Sequence, residues 1–314
     1  VTRYRRSTYL LPAELEDDLV ADLWLAGTLG VQSTPLPDGP PGRVRVDAWF
    51  PGETSEDLGE VEALWRERGA ETLGSETVPE SDWLALWRRG ARPIPVGRRL
   101  LLDPREPRCG DGAAERAAAT GRHLLRLPAR RAFGTGSHET TRLALLLLEH
   151  ACRDERTRPQ RVLDVGTGTG VLAFAALLFG VPRVVAFDRD PLAVFMARDN
   201  ARLNGFGTDP SRLRAPLFFV GTAESLAADG GAAFDLILVN ILPHLVEPDL
   251  PRLARTVAPG GAAVVAGMPS EEGPGVSARL GGLGFEATGE RREGAWVAYR
   301  FERARTVPRV EAAE

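Results

Sequence analysis

The sequence predicts an α/β protein in which a seven-stranded, mostly parallel sheet fills the C-terminal half and a small α+β sandwich precedes it. Three observations carry this expectation. From residue 131 onward, continuous apolar runs of strand length alternate with helical stretches, as in a parallel sheet covered on both faces. The last two of these runs are separated only by Arg292–Gly294, so they must pair as an antiparallel hairpin. Upstream of residue 93, the order of strand-like and helix-like stretches is βαββαβ.

The N-terminal elements follow from periodicity. Residues 4–11 are extended in character. Pro12 and Ala13 open a helix whose Leu15, Leu19, Leu23 and Trp24 share one face. A short strand falls at Gly30–Thr34, and Arg43–Phe50 alternates as a half-buried strand should. Ser55–Arg68 reads as a helix with Leu58, Val61, Leu64 and Trp65 inward, and Glu71–Val78 as a further strand. Together they predict a ferredoxin-like domain over residues 1–92. Residues 93–130 read as a linker, carrying Pro93, Pro95, Pro104, Pro107 and Pro128 and glycines at 110, 112 and 121. One short strand, Arg99–Asp103, interrupts it, and Arg105–Arg122 reads as a flexible surface loop. The sheet domain spans 131–303, with strands expected at 161–165, 184–188, 216–221, 234–240, 262–267, 285–291 and 295–301. The tail, 304–314, reads as disordered.

Composition narrows the function classes. A chain of 314 residues with 43% hydrophobic and 26% charged residues has enough apolar material for two ordinary globular domains. The net charge of −4 argues against a broad phosphate-binding face. No apolar run approaches the ~18 residues of a membrane span, and the longest, Leu143–Leu148, lies inside a helical pattern. The only cysteines, Cys109 and Cys152, form no metal-ligand spacing. With no apolar export core behind Val1, a cytoplasmic location is the expectation.

The chemistry concentrates in three places. Arg161–Gly170 (RVLDVGTGTG) runs an apolar strand into Gly166, Gly168 and Gly170, with a helix following. Missing side chains let a ligand approach the backbone, and the helix N-terminus offers free amide donors. Asp164 suits either a turn or a ligand contact. Twenty-two residues after Gly166, Asp188 ends the next strand, where an acid can accept hydrogen bonds from both ribose hydroxyls of a nucleoside cofactor. Asp190 reads instead as a helix N-cap ahead of Pro191. The glycine spacing places Val171 where a nicotinamide-binding fingerprint needs a small residue, and the terminal hairpin is foreign to a plain dinucleotide fold. The hairpin is the mark of the seven-stranded, Rossmann-like class I methyltransferase domain. The fourth strand ends in Asn240, followed by Ile-Leu-Pro, similar to the Asn-Pro-Pro-Tyr-like motifs of amine methyltransferases. An Asn there can accept a hydrogen bond from a substrate amine, or simply close the turn. Finally, Ala132–Thr141 (AFGTGSHETT) precedes a helix expected at Arg142–His150. Thr140 and Thr141 suit its cap, and its N-terminus suits a carboxylate.

Phe133-Gly-Thr-Gly-x-His138-x-Thr-Thr141, Asp164-x-Gly-x-Gly-x-Gly170 and Asn240-Ile-Leu together resemble the ribosomal protein methyltransferase A family. The stretch Asp82-Trp83 to Pro104 is similar to its interdomain segment, so the resemblance covers nearly the whole chain. Residues 108–122 read as an insertion. The resemblance implies S-adenosylmethionine as cofactor, and protein eleven of the large ribosomal subunit as substrate, with no nucleic-acid substrate. It implies an N-terminal domain that recognises that protein, and repeated methylation of lysine ε-amines and an α-amine. Carried over, Thr141, Gly166, Asp188 and Asn240 would contact the cofactor, with Gly168 in the same loop, and Asn240 would be catalytic. No dedicated general base is expected, with His138 in reserve, and Phe133 is a candidate to line the amine pocket. The alternatives are a nucleic-acid base N-methyltransferase on the same fold, which needs a basic face, a nicotinamide-dependent oxidoreductase, and a non-enzymatic adaptor.

Overall fold

A computed structural model describes residues 3–28, 30–35, 42–51, 56–79, 92–105, 112–128, 138–207, 215–226 and 234–305. The chain divides into two compact units, Val1–Ala91 and Arg92–Glu314.

The first unit has the expected order: β1 (Arg3–Pro12), α1 (Glu16–Leu25), β2 (Gly30–Pro35), β3 (Arg43–Pro51), α2 (Glu56–Glu67) and β4 (Glu71–Pro79). Its sheet is antiparallel throughout, in the order β2-β3-β1-β4. Alternate residues of the two central strands, among them Tyr9, Leu11, Val46, Ala48 and Phe50, pack with Leu19 and Leu23 of α1 and Leu58 and Trp65 of α2. This follows the two-residue period of a strand with one covered face. The Trp65 indole donates to Asp22 at 2.8 Å and ties the helices together.

The second unit begins where the sequence suggests a connector. Residues 94–126 instead build a small sheet of β5 (Ile94–Val96), β6 (Leu100–Asp103) and β7 (His123–Arg126). β6 and β7 are parallel, and parallel neighbours need a crossover. Helix α3 (Ala113–Ala119) lies in that crossover, in the stretch expected to be a loop, with Ala113 and Ala117 buried. Gly112, at φ 68°, supplies the left-handed residue before it. The strand expected at Arg99–Asp103 is β6; punctuation by Pro and Gly masked β5, β7 and α3, the two strands being only three or four residues long. Their apolar residues Val96, Leu100, Leu102, Leu125 and Leu127 belong to the main core. Asp103 is fully buried and neutralised by Arg105, at 2.8 Å, and Arg126, at 3.5 Å.

The large sheet comprises β8 (Arg161–Val165), β9 (Arg183–Asp188), β10 (Leu217–Val220), β11 (Phe234–Asn240), β12 (Val257–Pro269), β13 (Phe285–Glu293) and β14 (Trp296–Arg303). The order is β10-β9-β8-β11-β12-β14-β13, and only the pairings made by β14 are antiparallel. This is the expected seven-stranded α/β architecture closed by a hairpin. The hairpin turn is tighter than expected, with only Gly294 and Ala295 between the strands. Successive strand residues enter opposite layers. Val162, Leu236 and Leu238 face α4 (Glu139–Ala151), α5 (Val171–Leu178) and α6 (Pro191–Leu203). Leu163, Ile237 and Val239 face α7 (Pro243–Val246), α8 (Leu250–Thr256) and α9 (Gly273–Gly282). Burial on both faces is why these strands read as unbroken apolar runs. No described helix is long and apolar enough to cross a membrane. Of the tail expected to be disordered, residues 306–314 lie outside the described residues.

Candidate functional site

The strand order reverses beside β8, whose neighbours are β9 and β11. In open α/β sheets, the crevice at the carboxyl ends of the strands flanking such a switch point is where ligands bind. Gly166–Gly170, Asp188 and Asn240 follow or end these three strands, so they lie along one edge.

The loop after β8 is built from glycines for a steric reason. Gly166, Gly168 and Gly170 all have positive φ, at 67°, 52° and 88°. A Cβ on Gly166 would stand 2.6 Å from Cδ1 of Ile241. The loop is pinned from several sides. Thr167 donates its main-chain N–H to Phe187 O at 2.9 Å, and Asn200 of α6 donates to Thr169 O at 3.0 Å. The half-buried Asp188 carboxylate accepts the Gly168 N–H at 2.9 Å through Oδ2 and the Asp190 N–H at 3.0 Å through Oδ1. Asp190 caps α6 by accepting the Leu192 N–H at 2.8 Å, as expected.

Asp164, left between two roles by its sequence position, is a buried staple. Its Oδ2 accepts the Thr167 hydroxyl at 2.7 Å and the Ala173 N–H at 3.2 Å, joining β8, the glycine loop and α5. Burial pushes its pKa up to about 7; the two hydrogen bonds oppose this, and the nearby Asp188 charge adds to it.

Asn240 ends β11 on the sheet face that packs against α4. Its Nδ2 donates to the Thr141 hydroxyl at 3.3 Å. Its Oδ1 is buried and accepts no hydrogen bond among the described residues. A buried carbonyl of this kind is a ready acceptor for an N–H brought by a ligand.

The helix behind Thr141 differs from expectation. α4 begins at Glu139, and its cap is His138, with Thr140 and Thr141 buried inside the first turn. The His138 Nδ1 accepts the Thr140 N–H at 3.3 Å and stands 2.8 Å from its hydroxyl. Its ring meets Trp296 edge-on, with centroids 5.0 Å apart. A ring nitrogen thus fills the place usually held by a Ser, Thr or Asp oxygen. Arg142 bridges Glu293 of β13 at 3.1 Å and Glu139 at 2.9 Å, fixing the helix to the terminal hairpin.

Of the residues singled out in the sequence, Thr141 touches Asn240 and Gly168 touches Asp188. Gly166 is joined to the Asn240 segment through Ile241. Phe133 and the rest of 129–137 lie outside the described residues, as do Cys109 and all of 82–91. Two packing roles are not read from the sequence: that of Ile241, present there only as part of the Asn240-Ile-Leu motif, and that of Gly267 of β12, at φ 83°, whose Cβ would meet the Ile241 backbone at 2.7–2.9 Å. An isolated glycine inside a strand pattern was the available signal for the second. Together these residues form a shelf of main-chain amides, an acid suited to a diol, a helix N-terminus and an amide oxygen awaiting a donor.

Comparison with known proteins gives a consistent result. The family model described as Ribosomal protein L11 methyltransferase (PrmA) matches residues 33–304. A Synechococcus sp. (strain RCC307) protein named Ribosomal protein L11 methyltransferase is 34% identical over 304 residues, covering 93% of this chain and 95% of the relative. One of the same name from Pelobacter propionicus is 38% identical over 232 residues, covering 73% and 69%. Among solved structures, ribosomal protein L11 methylase from Lactobacillus delbrueckii subsp. bulgaricus superposes with a TM-score of 0.55 at 28% identity, covering 68% of this chain and 99% of that one.

Proposed function

Because the chain belongs to the ribosomal protein L11 methyltransferase (PrmA) family, we propose that it transfers methyl groups from S-adenosylmethionine to amines of ribosomal protein L11. The observation that carries this reading is the Asn240 carboxamide. Its unsatisfied Oδ1 stands at the end of the strand beside the glycine loop, on the edge shared with Asp188.

The residues present fit the cofactor. Asp188 would accept hydrogen bonds from the ribose hydroxyls, the main chain of Gly166 and Gly168 would leave room for close approach, and Thr141 with the α4 N-terminus would hold the methionine carboxylate. When bound, S-adenosylmethionine supplies a methyl group already activated by its sulfonium. The protein is left to position, desolvate and orient. Asn240 Oδ1 accepts an N–H of the substrate amine and so directs its lone pair. A free lysine has a pKa of ~10.4, and a water-poor site lowers it by disfavouring the charged form. His138 spends Nδ1 on capping α4, which supports a site without a dedicated base. Both ε-amines and an α-amine are the proposed acceptors, each methylated repeatedly. The N-terminal domain is the proposed recognition module for L11, and the cytoplasm the proposed location.

The 39 lysine-plus-arginine residues of the chain are all arginine. Any ε-amine methylation in a reaction mixture therefore belongs to the substrate. Incubation with S-adenosylmethionine and unmodified L11, read by intact mass, is expected to show methyl increments on L11. An unchanged L11 alongside methylated naked RNA would transfer the assignment to nucleic acid, and no product on either would remove it.

A further inference from the structure

We infer that Gly267 is a positioning residue for Asn240, acting through Ile241, which two glycines grip from opposite sides. Gly267 lies in β12 where its register with β14 shifts, between Val265 and Met268. Such a bulge bends a strand and re-aims what stands next to it. Its φ of +83° is left-handed, and it is buried in the sheet edge beside β11. A Cβ there would stand 2.7 Å from Ile241 N, 2.9 Å from its carbonyl carbon and 2.9 Å from its oxygen. These are main-chain atoms, so no rotamer change relieves the overlap. On the other side, the Ile241 side chain occupies the space left by Gly166, with Cδ1 at 2.6 Å and Cγ1 at 3.1 Å from a Cβ position.

Ile241 is thus the first residue beyond β11, with its backbone held by one glycine and its side chain by the other. Asn240 immediately precedes it. The last β11–β12 ladder pair is Asn240 with Ala266, the residue before Gly267. The direction in which the chain leaves β11, and so the aim of the Asn240 carboxamide, depends on how closely β12 lets Ile241 approach. The same contact couples that aim to the glycine loop. A misplacement of about 1 Å at a reacting group can cost on the order of a hundredfold in rate.

This inference rests on the proposed role of Asn240, and a double-mutant cycle separates the two. In the full-length protein with L11 as substrate, Gly267→Ala is expected to lower kcat by about tenfold or more. The calorimetric Kd for S-adenosylmethionine should stay within about threefold, a split that general loosening of the fold would not produce. Adding Gly267→Ala to Asn240→Ala should slow turnover by less than about twofold further, since both act through one group. Multiplicative effects would overturn the coupling while leaving Asn240 in place; wild-type turnover in Asn240→Ala would instead remove the Asn240 role, and the inference with it. Should Gly267→Ala not accumulate as folded protein, Ile241→Ala takes its place in the cycle. It loosens the grip from the Gly166 side, with the same non-additivity expected and the same multiplicative result overturning the proposal.

Discussion

Gly168 donates its main-chain N–H to Asp188 Oδ2 at 2.9 Å. The acid that ends β9 therefore holds the loop that follows β8. One carboxylate shapes the amide shelf, and each of its oxygens keeps a second lone pair for the proposed contact with a diol.

Replacing Asp188 should weaken cofactor binding doubly, through the lost contacts and the loosened loop. Hydrogen bonds to a charged group contribute roughly 1.5–3 kcal/mol each, so Asp188→Ala is expected to raise the Kd for S-adenosylmethionine by about ten- to a hundredfold or more. Calorimetry reads this directly, and an unaltered Kd would refute the ribose role.

Asn240 should matter for turnover more than for affinity. Asn240→Ala is expected to cut kcat by on the order of a hundredfold while the cofactor Kd moves less than about threefold. Wild-type rates on L11 would show that the carboxamide only closes the strand.

The buried carboxyl of Asp164 predicts a pH dependence of stability. Its folded pKa, about 7, is raised above the ordinary carboxylate value by burial. The folded state therefore keeps this proton from about pH 4 upward, where the unfolded chain has released it. Its contribution is fully present below the unfolded pKa and is lost as pH rises through 7. Asp164→Asn should thus gain on the wild type by up to a few kcal/mol between roughly pH 5 and pH 8. Urea denaturation of both proteins at the two pH values checks this; a constant difference sinks it.

The small sheet ahead of α4 depends on Asp103. Arg105 donates to it through Nε at 2.8 Å, and Arg126 lies 3.5 Å away. Asp103→Ala strands two partly buried guanidinium groups and should cost about 2–4 kcal/mol. A shift of the urea midpoint equivalent to less than about 0.5 kcal/mol would show that the pair is dispensable.

Legibility followed the range of each interaction. The βαββαβ order was readable from patterns that repeat every two to four residues, and the seven strands of the large sheet with its closing hairpin from continuous apolar runs of strand length. The placement of the glycine run, Asp188 and Asn240 along one edge was readable because each ends or follows one of those strands. The helix at Ala113–Ala119 was missed because its sequence neighbourhood is rich in Gly and Pro; its burial against the core is a tertiary gain that local propensity does not register. That His138 caps α4 through Nδ1 was not legible, since the geometry of one helix turn decides which nitrogen meets which amide.

By itself, then, the amino-acid order determined the elements, their alternation and the residue types waiting at the strand ends. Folding alone decided which of them meet. Asn240 and Thr141 are 99 positions apart, and Ile241 finds room only because Gly166 and Gly267 arrive from separate strands. Local periodicity records which face of an element is buried, whereas close approach between distant segments depends on the space their side chains leave, and that exists only once the sheet is assembled.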